Sequence, residues 1–150
     1  MSEKQFIYLD HVADIRFIAY GETIETLFEN AAGAMLTVIA DIENIRPENK
    51  FDVELEAADL ENLMVDFLSE LLFLFDAEET VIGHVSVKKI ERKTNKGGES
   101  EKYSIIASIF GEPINAAEQT FKTEVKAVTY SGIRVEKTEK GYETEVVLDL

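Results

Sequence analysis

The chain predicts an α+β fold: a single domain over residues 1–150, with two principal helices packed on a mainly antiparallel sheet. Three observations carry this expectation. Two early segments repeat apolar residues at helical spacing. The second half is a succession of strand-like runs broken by polar loops, several of them containing glycine. No internal repeat, low-complexity tract or linker divides the chain.

Taken in order, "FIYLD" and "DIRFIAYG" have the composition of strands; in the second, Ile15, Phe17 and Ala19 alternate with Asp14, Arg16 and Ile18. Thr23 suits a helix N-cap, and Ile24, Leu27, Phe28, Ala31, Met35, Val38 and Ile39 follow as an apolar face. "RPENK" ends that region and "FDVELEA" alternates as a strand. Asp59 is placed to cap "DLENLMVDFLSELLFLFD", where Leu60, Leu63, Met64, Phe67, Leu68, Leu71, Leu72 and Phe75 recur at i, i+3, i+4 and i+7. Val65, Phe73 and Leu74 widen this stripe, which predicts a central helix covered on more than one side in its C-terminal half. A core element is the commoner use of such a stripe, and a partner-binding helix the sharper one. Beyond it, "VIGHVSVKKIE", "KYSIIASIFGE", "FKTEVKAVTY", "IRVEKTE" and "YETEVVLDL" are strand-like, with "TNKGGES" and "EKG" as hairpin loops.

Bulk chemistry excludes several function classes. With 150 residues, folding buries roughly 70% of the unfolded surface, enough for a substantial core. There is no cysteine, hence no disulfide framework and no thiolate chemistry. "MSEKQFIYLD" lacks the cationic start and long apolar core of a secretory leader, and "LLFLF" is too short to cross a bilayer, so the expectation is a cytoplasmic protein. Thirty acidic against fifteen basic residues give a net charge of −15, which disfavours phosphate backbones and strong direct nucleic-acid binding. It favours association with metal ions or basic protein surfaces instead. No phosphate-binding glycine loop, dinucleotide fingerprint or serine-nucleophile elbow is present, and "NKGGE" has the form of a turn.

Oxygen chemistry is better represented. The closing "ETEVVLDL" carries Val146, Val147, Leu148 and Leu150, which predicts a docked terminal strand rather than a frayed tail. Docking would place the Asp149 side chain close to the terminal carboxylate in a poorly solvated setting, which is costly without a cation or a hydrogen-bond network. "LDHVADI" brings Asp10, His11 and Asp14 to a junction between strands. If the terminal strand ends nearby, Asp14, Asp149 and the Leu150 carboxylate form a cluster of hard anions suited to Ca²⁺, Mg²⁺ or Mn²⁺. On the residues alone, a turn residue or strand cap is the commoner role for Asp14, and a solvated edge acid an equal alternative for Asp149. In "KTEVKAVTYSG", alternation puts Lys122, Glu124, Lys126, Val128 and Tyr130 on one face and Thr123, Val125, Ala127 and Thr129 on the other. Lys126 then either offsets the carboxylates or meets an anionic ligand, or is a surface lysine paired with a glutamate; the last is commonest. For His11, a turn or core histidine outranks a metal ligand.

Five stretches in this order, "DHVADI", "DFLSELLFLFD", "GEP" at 111–113, "KTEVKAVTY" and the terminal "VVLDL", resemble the archease family over nearly the whole chain. Two departures stand out: Val12 replaces the threonine of the family's usual "DHTAD", and Ser131 replaces a histidine frequent after "VTY". The resemblance implies a non-enzymatic accessory protein of the GTP-dependent RNA-splicing (tRNA) ligase, which joins 2′,3′-cyclic-phosphate or 3′-phosphate ends to 5′-hydroxyl ends. Its members promote guanylylation of the ligase histidine, support multiple turnover, broaden nucleotide use and act as chaperone-like modulators of tRNA processing. It also implies a metal site at Asp14, Asp149 and Leu150 and a functional role for Lys126 in activating the partner. Two other classes use the same residues: a carboxylate-metal-dependent phosphohydrolase, and a metal-independent chaperone or binding module.

Overall fold

The computed structural model describes residues 5–9, 14–94, 97–98, 101–114 and 120–150. Among these the chain forms seven strands and two α-helices: β1 (Phe6–Leu9), β2 (Asp14–Gly21), α1 (Ile24–Ile39), β3 (Asn49–Ala57), α2 (Leu60–Ala77), β4 (Thr80–Thr94), β5 (Glu101–Pro113), β6 (Ala127–Thr138) and β7 (Gly141–Asp149). A short 3-10 turn, Ile42–Asn44, follows α1. The α+β expectation holds with one change. The strands divide into a four-stranded sheet in the order β1-β2-β7-β6 and a three-stranded sheet in the order β3-β5-β4, each antiparallel.

Both helices begin at the expected caps. The Thr23 side chain accepts the Thr26 amide and the Asp59 carboxylate accepts the Asn62 amide at 2.7 Å, each satisfying a donor that the first helical turn leaves over. α1 packs against β2 of one sheet and β4 of the other, while α2 packs against β6 and β3, so the helices join the two sheets around one core. Phe28 of α1 and Phe67 of α2, both fully buried, meet with ring centroids 6.1 Å apart. Burying a side chain of this size contributes about 1.5–3 kcal/mol. No helix among the described residues is long and apolar enough to cross a membrane.

The helices also serve the sheet edges. Glu29 and Glu25, one turn apart on α1, accept the amides of Val87 and Ile90 at 2.8 and 3.2 Å, beside a register shift in β4. Glu61 of α2 accepts the Val135 amide of β6 at 3.3 Å. Edge amides that would otherwise be open to another chain are thus occupied by carboxylates.

Three expectations need correction. "FKTEVKAVTY" and "IRVEKTE" are not separate strands: the chain from 122 to 126 is irregular, and β6 runs unbroken from Ala127 through a register shift between Thr129 and Arg134. Strict alternation across that stretch therefore fails, and Val125 and Val128, three positions apart, are both buried. α2 packs on elements of both sheets, but Phe73, expected within its widened apolar stripe, is 58% exposed while Leu71 and Leu74 are buried. Five successive apolar residues span the whole helical circumference, so one must face solvent unless the helix is enclosed.

β7 is docked as its composition predicts: Val146 and Leu148 are fully buried and Val147 nearly so. Gly141 makes its entry possible. It has φ +139, and a Cβ there would stand 2.3 Å from the Gly21 carbonyl oxygen. Gly111, of the "GEP" stretch, leaves room for the Val81 carbonyl oxygen, which a Cβ would meet at 2.2 Å.

Candidate metal centre

β2 begins at Asp14 and β7 ends at Asp149, and the register pairs these two residues directly. Directly opposed residues of an antiparallel pair project to the same face, with Cβ atoms about 4.5–5.5 Å apart. Phe17, Ala19, Val146 and Leu148 occupy the buried face, so the alternation assigns Asp14 and Asp149 to the outer one. Ala127, on the other side of Asp149, pairs with it as well. Leu150, one residue further on, packs against the core.

The setting is more solvated than the sequence suggests. Asp149 is exposed and Asp14 half-buried, with Asp14 Oδ1 shielded from solvent. Two like charges directly opposite one another are destabilising, and a divalent cation bound between them removes that cost. Two carboxylates and a chain terminus are hard oxygen donors of the type Mg²⁺, Ca²⁺ and Mn²⁺ accept, with water filling the other positions. Among the described residues no three His, Cys, Asp or Glu side chains converge as a metal-binding group.

Lys126 joins the site through its backbone: its amide donates to the Asp149 carbonyl at 2.8 Å. Its exposed side chain lines a cleft of about 340 Å³ whose walls include Ile39, Leu72, Phe75, Phe121 and Val125. His11, Asp10 and Val12 lie outside the described residues. His84 is remote from the pair in topology, stacked near Phe110 in the other sheet at 5.9 Å.

One feature of this face was missed in the sequence. Arg16 donates to Glu145 Oε2, while Arg134 donates to Glu145 Oε1 at 3.3 Å, to Glu143 at 2.6 Å and to Glu136 at 3.1 Å. The Glu145 carboxyl is held below the usual glutamate range, chiefly by the hydrogen bond from Arg16, with Arg134 adding to it against the cost of burial. Half of this network was legible. Counting back from the "EKG" turn pairs Glu136 with Glu143 and Arg134 with Glu145. The Arg16 half depends on how β2 lies on β7, which no local pattern encodes.

Fold and site together define a small α+β domain with an acidic pair beside its C-terminus. The family model described as "Archease protein family (MTH1598/TM1083)" matches residues 6–150, and the chain belongs to that family. It is 46% identical over 147 residues to the protein archease of Methanosarcina mazei, covering 98% of this chain and 97% of the relative. The solution structure of Methanobacterium thermoautotrophicum protein 1598 superimposes with a TM-score of 0.78 at 31% identity, covering 97% and 99% of the two chains. The Thermotoga maritima crystal structure, described as an archease and possible chaperone, shares the fold with a TM-score of 0.59 at 18% identity and covers 100% and 98%.

Proposed function

We propose that this protein is a metal-binding accessory factor that activates the GTP-dependent RNA-splicing ligase in tRNA processing, working in the cytoplasm without catalysing a reaction itself. The pairing of Asp14 with Asp149 beside the chain terminus supports this reading most strongly. Asp14, Asp149 and the Leu150 carboxylate would hold a divalent cation, Ca²⁺ or Mg²⁺ or Mn²⁺, whose bound charge supplies electrostatic stabilisation to phosphate oxygens. Lys126, whose backbone amide is held by the Asp149 carbonyl, would supply the contact to the partner. Recognition of a protein rather than of RNA agrees with the net charge of −15. Membership of the archease family and the "possible chaperone" description of the Thermotoga protein agree with an accessory role.

The hydrolase alternative is less well supported. Two-metal phosphoryl chemistry draws on several converging carboxylates, and among the described residues the register pairs two acids here. The decisive experiment incubates ligase, GTP and RNA ends with substoichiometric protein. The expected result is more guanylylated ligase and more turnovers, both reduced by Asp149→Asn and by Lys126→Ala. No increase in either quantity with the wild-type protein defeats the proposal. Appending residues after Leu150, which turns its carboxylate into an amide, is expected to weaken cation binding, whereas a tag at Met1 is not.

A further inference from the structure

We infer that Glu145 is a positioning residue that keeps the Arg16 guanidinium from competing with a divalent cation at the Asp14–Asp149 pair. The inference rests on the metal-binding reading above and extends it to a residue outside the proposed ligand set.

The register sets up a choice for Arg16. Arg16 lies two positions along β2 from Asp14, on the same face, and is paired directly with Val147. The residues two positions either side of Val147 are Glu145 and Asp149, so Arg16 has a carboxylate on each diagonal and a third, Asp14, on its own strand. Diagonal neighbours about 7–8 Å apart are within reach of a long side chain, and two strand positions span about 6.6 Å. An arginine at this place is therefore a built-in competitor for a cation bound between Asp14 and Asp149.

The structure directs Arg16 to Glu145. Glu145 is prepared for that role in two ways. Its side chain is only 14% exposed, so few orientations are open to it, and Arg134 occupies its other oxygen at 3.3 Å. Arg134 is itself fixed by Glu143 and Glu136 at 2.6 and 3.1 Å. The chain of contacts thus sets two arginines against three glutamates on the sheet that carries the acidic pair. Between the two clusters stands Val147, only 8% exposed and unable to bond either way.

Removing the Glu145 charge is expected to release Arg16 onto the acidic pair. The test measures Ca²⁺ and Mg²⁺ binding to the full-length protein by calorimetry and by thermal shift, for wild type, Glu145→Gln, and the double variant Glu145→Gln with Arg16→Gln. Circular dichroism confirms that each is folded. The inference predicts that Glu145→Gln weakens divalent binding by at least about fivefold, the worth of one cation placed against an acid near the surface. It further predicts that adding Arg16→Gln restores wild-type affinity. Undiminished binding by Glu145→Gln overturns it. So does failure of the second substitution to restore binding, which assigns the loss to disturbed packing instead. Absence of divalent binding by the wild type defeats the metal reading itself, an outcome distinct from both.

Discussion

Asp14 and Asp149 stand directly opposite each other across β2 and β7, although one lies near the start of the chain and the other next to its end. Opposed like charges on one sheet face cost stability, about 0.2–1 kcal/mol relative to neutral partners. Asp149→Asn is therefore expected to raise the melting temperature in EDTA and to lack the further rise expected of wild type with Ca²⁺ or Mg²⁺. A variant that melts lower in EDTA yet still responds fully to divalent ions contradicts the site.

The Glu145 network sets a pH dependence. Its carboxyl titrates below the usual glutamate range in the folded state, principally because Arg16 hydrogen-bonds to it. A depressed folded value means that the native state favours the ionised form. The stabilisation is complete above the unfolded glutamate pKa and is lost as pH falls through the lower folded value. Glu145→Gln is expected to destabilise the protein by about 1.5–3 kcal/mol at neutral pH, the range for hydrogen bonds to charged groups. Denaturant melts at descending pH should show that gap closing in acid. A gap that is constant with pH would mean the charge is irrelevant.

Two phenylalanines on α2 separate core from surface. Phe67 is fully buried against Phe28, and Phe73 is 58% exposed. Phe67→Ala should cost about 3–5 kcal/mol through lost transfer energy and the cavity left behind. Phe73→Ala should stay within about 0.5 kcal/mol. Urea melts of the two variants decide it, and similar losses would refute the helix orientation.

The bond from Glu29 to the Val87 amide is a further long-range contact open to test. Glu29→Ala leaves that amide without its acceptor and is expected to cost about 1–3 kcal/mol, with faster hydrogen exchange at Val87. Glu29→Gln, which keeps an acceptor oxygen, should cost less. Unchanged exchange in the alanine variant would show that the carboxylate does not protect the strand.

Much of this architecture was open to reading because its causes are local. Thr23 and Asp59 mark helix starts since a side-chain oxygen followed by a helical apolar repeat satisfies the leftover amides. The alternation of Ile15, Phe17 and Ala19 against Asp14 and Arg16 specifies which side chains share a face, whatever the strand meets. The apolar composition of "VVLDL" likewise requires the terminal strand to be buried.

Other features needed the assembled molecule. Whether Asp14 faces Asp149 or its neighbour depends on the register of strands far apart in sequence. A slip of one residue reverses every face, and packing of Phe17, Val146 and Leu148 in the core accompanies the observed choice. The division into two sheets, the exposure of Phe73 and the β6 irregularity after Thr129 share that origin. The amino-acid sequence by itself determined the helices, their caps, the strand faces and the acids available at each end. Tertiary structure alone decided which acids meet and which arginine is kept from them, because local periodicity follows from backbone geometry while contacts between distant strands follow from how the whole core closes.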